Sequence, residues 1–181
     1  EFDLYFMEEP LPPENLDAYV ELKHSTCTPI ATGERYVARF QFRELLEKYC
    51  CDYIQPDAIY TGGMNELRKI AAMAEAYDIG IAPHCPLGPL TLASSMQLDA
   101  WTPNFVIQEM SLQMQYNTNG DLQDYIKNKD VFDVTDGYLK LPTLPGLGIE
   151  IDGAAVIEAN KEGLTRYDRD WHHEDGSIAE W

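Results

Sequence analysis

Short apolar runs that close on a titratable residue recur along this chain. LYFMEE (4–9) closes on Glu8 and Glu9, PIATGE (29–34) on Glu34, YIQPD (53–57) on Asp57, GIAPH (80–84) on His84 and FVIQE (105–109) on Glu109. These ends return roughly every 25 residues, about what one strand, one helix and two short loops consume. The segments between them carry apolar residues at helical spacing: Phe42, Leu45, Leu46 and Tyr49 form one stripe and Leu67, Ile70, Ala71 and Ala74 another. Leu16, Tyr19 and Val20 begin a third, and Leu92 and Met96 share a face in a weaker stretch that Pro89 is suited to start. Strand and helix in strict alternation predict a parallel sheet.

Such a sheet is either open and doubly wound or closed into a barrel. A doubly wound sheet gathers its chemistry at one switch point and commonly carries a glycine-rich phosphate loop. The chain has neither GxGxxG nor GxxxxGK[ST]. Titratable residues at five successive strand ends suit a barrel, where every C-terminal strand end faces one pocket. A full barrel takes roughly 250 residues, so about five of its units fit here, over residues 1–116, and the chain is expected to be the second half of one. A half barrel alone is expected to be inactive and marginally folded, because its edge strands and core lie open. From about Asn117 the pattern lapses into a polar stretch and then into glycine- and proline-rich alternation. Residues 117–181 are expected to wrap or cap the barrel, with a short helix over 154–162.

Composition narrows the function classes. In 181 residues, 13 Lys and Arg face 31 Asp and Glu, a net charge of -18. Such a surface repels phosphate backbones and has no basic stripe, which argues against nucleic acid, while it leaves room for a cation. No apolar run approaches the roughly 18 residues of a membrane span, and the N-terminus lacks the basic and apolar regions of a signal peptide. Cys27, Cys50, Cys51 and Cys85 contain no CxxC; they read as reduced core thiols of a cytoplasmic protein. The chain opens on Glu1 rather than Met, which leaves room for an upstream portion.

Glu8 and Glu34, on neighbouring strands, can hold a hard divalent cation together with a third oxygen ligand, and Mg²⁺ favours a few carboxylates plus water and substrate oxygens. Any one of these acids could instead cap a helix or pair with a lysine; five in register fit that reading less well. Alternation sends Glu9 to the opposite face from Glu8, a structural place. Asp57, one strand before His84 and at equivalent height, is placed to accept the imidazole N–H, fix its tautomer and raise its basicity, which makes a general base of the pair. Pro86 and Gly88 then turn the chain away and hold the ring at the rim. Cys85 is a poor ligand for a hard oxygen site.

EEP (8–10), ATGER (31–35), IQPD followed by GG (54–63), APHCPLGP (82–89), IQE (107–109), PGLGIEID (145–152) and the closing DGSIAEW (175–181) resemble the mandelate racemase subgroup of the enolase superfamily, and within it the galactonate dehydratases. The resemblance covers nearly the whole chain. It implies Mg²⁺ as cofactor with Glu8 and Glu34 as two of its ligands, His84 as the base beside the substrate carboxylate, Asp57 as its orienting partner, and Glu109 as an acid that hydrogen-bonds the substrate. The reaction it implies is dehydration of a sugar acid, through an enediolate, to a 2-keto-3-deoxy acid. It further implies an intact homo-oligomeric enzyme whose first metal ligand, acid histidine and capping domain lie upstream of Glu8, since no matching Asp-x-His occurs here. His24, His172 and His173 do not match that acid. Two alternatives stay open: a racemase or epimerase of the same superfamily, which returns the proton, and a non-catalytic homologue or inactive fragment.

Overall fold

A computed structural model describes residues 2–86, 88–111, 122–162 and 172–177. Four strands, β1 (Met7–Glu8), β2 (Ile30–Thr32), β3 (Tyr53–Ile54) and β4 (Gly80–Ile81), form one parallel sheet in the order β1-β2-β3-β4. Helices α1 (Leu16–Ser25), α2 (Arg39–Lys48) and α3 (Met64–Glu75) make the crossovers, and α4 (Pro89–Asp99) follows β4. Each helix packs on the next. The strand order never reverses, so no switch point exists within the sheet; this is the singly wound arrangement of a barrel wall rather than of a doubly wound sheet.

The helical stripes become the core. Tyr19, Phe42, Leu45, Leu46, Leu67, Ile70 and Ala74 are fully buried against Ile30, Ile54 and Ile81 of the strands. Asn15 caps α1 through a hydrogen bond that its Oδ1 accepts from the Ala18 N–H, and Pro89 sits in the first turn of α4, where its missing donor costs nothing. Two expectations need correction. Tyr49 is not on the buried stripe of α2: it is the C-cap, in the left-handed region at φ 54°, and half exposed. Cys27 is exposed rather than a core thiol, because it lies in the loop after α1; Cys50, Cys51 and Cys85 are buried.

The run at 105–109 pairs less than a full strand. Phe105 meets Ile81 in a single parallel bridge, tied by the Ile81 N–H to Asn104 O and by the Val106 N–H to Ile81 O. Pro83, two residues past Ile81, has no N–H to extend the ladder. Beyond it, Leu92 and Met96 of α4 share a second apolar cluster with Ile126, which follows a 3₁₀ turn at Leu122–Tyr125, and Phe132, which ends another at Lys129–Phe132. Residues 117–121 of the polar stretch lie outside the described residues, as do Leu87 of the APHCPLGP motif and 178–181 of the closing one.

The chain divides into two compact units, residues 1–151 and 152–181. The second contains a helix, α5 (Gly153–Glu162), where a short one is predicted. Among the described residues no helix is long and apolar enough to cross a membrane.

One glycine is required where β2 hands the chain on to Glu34. Gly33 has φ 132°, and a Cβ there would lie 2.9 Å from Phe42 Cε1 and 3.2 Å from the backbone nitrogen of Gln55. Gly33→Ala is therefore expected to destabilise the protein by roughly 1–3 kcal/mol through strain and overpacking. Thermal denaturation reads this directly, and an unchanged midpoint would show that β2 and α2 yield without cost.

Candidate functional site

The strand ends bring the acids and the histidine together because each parallel strand stops at nearly the same height and hands the chain to a short loop. Glu8 is the last residue of β1, Glu34 lies just beyond β2, Asp57 and His84 follow β3 and β4, and Glu109 closes the run paired at Phe105. Asp57 Oδ2 and His84 Nδ1 are 2.9 Å apart, with Asp57 fully buried and His84 nearly so. Glu34 Oε2 lies 3.5 Å from the other ring nitrogen, Nε2. Glu109 Oε2 accepts a hydrogen bond of 2.8 Å from the Cys85 N–H, bracing the residue next to His84. Glu8 Oε1 accepts one of 2.8 Å from Gln55 Nε2.

Asp57 is itself held from two sides. Its Oδ1 accepts from the N–H groups of Ile59 and Tyr60, at 2.7 and 3.0 Å, so its Oδ2 is left for the imidazole. A carboxylate only accepts, so the Nδ1 it faces carries the proton and Nε2 is the basic lone pair. Burial pulls the His84 pKa down, but the Asp57 hydrogen bond and the charges of Glu34 and Glu109 outweigh it and hold the group above its ordinary value. The Tyr60 ring stacks beside the imidazole, with centroids 6.3 Å apart.

The carboxylates crowd one another. Loss of surrounding water pushes Glu8 above the usual carboxylate range, and the charge of Glu109 pushes it further, although the side chain keeps an exposed face on the edge strand β1. Glu34 is raised by burial first, against the lowering influence of His84, with the charges of Glu9, Glu8 and Glu109 adding to the rise. Converging hard oxygens that repel each other are the donor set a divalent cation would neutralise. Glu8 and Glu34 could supply two such oxygens; among the described residues no group of three His, Cys, Asp or Glu is arranged to hold a metal.

Glu9, just past β1 with φ 41°, is held against the end of β2, although its charge still acts on Glu8 and Glu34. Its Oε1 accepts from the Gly33 N–H at 2.8 Å and from the Thr32 hydroxyl, and its Oε2 is 3.6 Å from Arg35 Nε. It ties β1 to the end of β2, on which Glu34 sits. His24 is exposed in the last turn of α1, and His172 and His173 are exposed in the second unit. Sequence reasoning misses Gln55, although it stands two residues before Asp57 and alternation places both on one face. It also misses Tyr60, for which no pattern in the chain gives a signal.

A family model described as enolase C-terminal domain-like matches residues 1–155. The chain belongs to the enolase C-terminal domain-like family. Among curated relatives in this enolase group, a D-galactonate dehydratase of Ralstonia pickettii (strain 12J) is 47% identical over 97% of this chain and 46% of its own length. A second D-galactonate dehydratase, from Ralstonia nicotianae, is 45% identical with the same coverage. The chain thus spans about half the length of the curated relatives it matches. Among solved structures, an enolase from Agrobacterium radiobacter holding Na and L-malate superposes with a TM-score of 0.80 at 37% identity, over 96% of this chain and 46% of that one. A mandelate racemase/muconate lactonizing enzyme-like protein of Rubrobacter xylanophilus gives 0.75 at 38% identity, over 87% and 39%.

Proposed function

We propose that the intact protein dehydrates a sugar acid, D-galactonate in particular, to a 2-keto-3-deoxy sugar acid with Mg²⁺ as cofactor. The observation that carries this is the His84–Asp57 pair, buried at the strand ends with its basic Nε2 beside a second cluster carboxylate. The relatives' names supply the substrate.

In this reading His84 Nε2 takes the proton from C2, next to the substrate carboxylate, while Asp57 keeps the ring in one tautomer and stabilises the imidazolium that results. The C3–O bond then breaks, the hydroxyl departs as water with a proton from an acid outside this cluster, and the enol left behind becomes the ketone. Glu109 hydrogen-bonds the substrate on binding, exchanging its present contact with the Cys85 N–H. Glu8 and Glu34 would hold the cation, which when bound supplies positive charge where the substrate carboxylate becomes more negative. Buried thiols and an acidic surface suit an enzyme of the reducing cytoplasm.

Incubating the intact protein with galactonate and Mg²⁺ in D₂O tests the reading by NMR. The expected result is loss of the substrate's C2 and C3 signals with growth of a deoxygenated keto acid. A folded protein that binds Mg²⁺ yet neither exchanges the C2 hydrogen nor forms that product would overturn it, and exchange without water loss would point to racemase or epimerase chemistry.

A further inference from the structure

Gln55 is 2% exposed, beside the carboxylate of Glu8, and its amide is only half used. Nε2 donates to Glu8 Oε1 at 2.8 Å, whereas Oε1 is buried with no hydrogen-bond partner among the described residues. A buried amide oxygen left unmet costs roughly 1–3 kcal/mol, and the alternative orientation is worse, because it would point that oxygen at a carboxylate. The backbone cannot relieve this: the Gln55 N–H continues the sheet by donating to Thr32 O at 2.9 Å. The side chain is therefore held with its donor toward Glu8 and its acceptor facing no donor that the described residues supply.

We propose that Gln55 is a positioning residue for the cation: its Nε2–H group fixes the Glu8 carboxylate, and its Oε1 accepts a hydrogen bond from a water on the bound divalent ion. This rests on the reading of Glu8 as a metal ligand. It also accounts for a glutamine where Leu or Val would fill a barrel wall more simply, since a metal-ligating carboxylate needs a neutral donor on one oxygen to hold its orientation. Gln55 does not touch the reacting atoms.

The test replaces Gln55 by Met in the intact protein, a substitution of similar length that removes both donor and acceptor. Calorimetric titration with Mg²⁺ in the absence of substrate should show affinity about 10- to 100-fold weaker, the usual loss for an outer-sphere partner, with a thermal midpoint for the metal-free protein close to the parent's. Parent-like Mg²⁺ affinity with a lowered midpoint would make Gln55 a packing residue and overturn the proposal. Glu8→Gln, run alongside, separates the two readings: if it removes Mg²⁺ binding while Gln55→Met does not, only the Gln55 proposal fails, and if Glu8→Gln binds Mg²⁺ normally, the metal reading fails first. Should the Met variant not fold, a crystal structure of the parent protein with Mg²⁺ decides. Gln55 Oε1 within hydrogen-bond distance of a cation-bound water supports the proposal, and an amide turned away from both that water and Glu8 overturns it.

Discussion

His84→Asn in the intact protein is expected to abolish both dehydration of galactonate and exchange of its C2 hydrogen with D₂O, while Mg²⁺ binding survives. Loss of a general base costs on the order of 10² to 10⁴ in rate, and His84 Nε2 is the basic nitrogen that stands 3.5 Å from Glu34 Oε2. Asp57→Asn should do less, because the ring remains but its tautomer is no longer dictated and its basicity falls. The two variants differ in a second observable. In the metal-free parent, His84 should titrate above the ordinary histidine value of 6.5, since the Asp57 hydrogen bond and neighbouring charges override burial. Removing the Asp57 charge takes away one of the influences that oppose burial and moves the titration down. An NMR pH titration of the His84 imidazole reads this shift, and deuterium exchange at C2 reads the chemistry. Deuterium entering C2 at the parent rate in His84→Asn would place the base elsewhere.

The fold was readable because two periods alternate cleanly. Phe42, Leu45 and Leu46 recur at helical spacing and are buried, and the short apolar runs between such stripes are the strands. Tyr49 shows where periodicity fails: its spacing suits the stripe, but the left-handed backbone that ends α2 swings it outward. The fifth run shows a second limit, since an apolar pattern does not reveal how many ladder bonds a nearby proline removes. At the site, the one-per-strand rhythm marked Glu8, Glu34, Asp57, His84 and Glu109, and the structure draws all five into one electrostatic neighbourhood. Gln55 escaped because the rhythm picks out titratable residues, and an amide has no charge to mark it. Only its burial and its one unmet oxygen reveal it.

Glu8→Gln and Glu34→Gln should each weaken Mg²⁺ binding by more than the roughly 10- to 100-fold that an outer-sphere loss costs, because each replaces an anionic oxygen ligand by a neutral one. The same substitutions should have the opposite effect on the metal-free fold. Both carboxyls are raised above the ordinary glutamate value of 4.5, by loss of water and by each other's neighbours. A carboxyl whose folded pKa lies above its unfolded one holds its proton better when folded, so the folded state binds more protons and stability falls as pH rises through the carboxylate range. That loss begins near the unfolded value and is complete once the pH exceeds the raised folded values, where the metal-free parent carries the whole repulsion. Glutamine cannot ionise and removes its share. At pH 7 to 8 the metal-free variants should therefore melt no lower than the parent, and the fall in the parent's midpoint between acidic and neutral pH should be shallower in each. Mg²⁺ should raise the parent's midpoint and leave the variants nearly unmoved. Variants that bind Mg²⁺ as the parent does, or that melt well below it without metal, would show that Glu8 and Glu34 hold the fold together and do not share a cation.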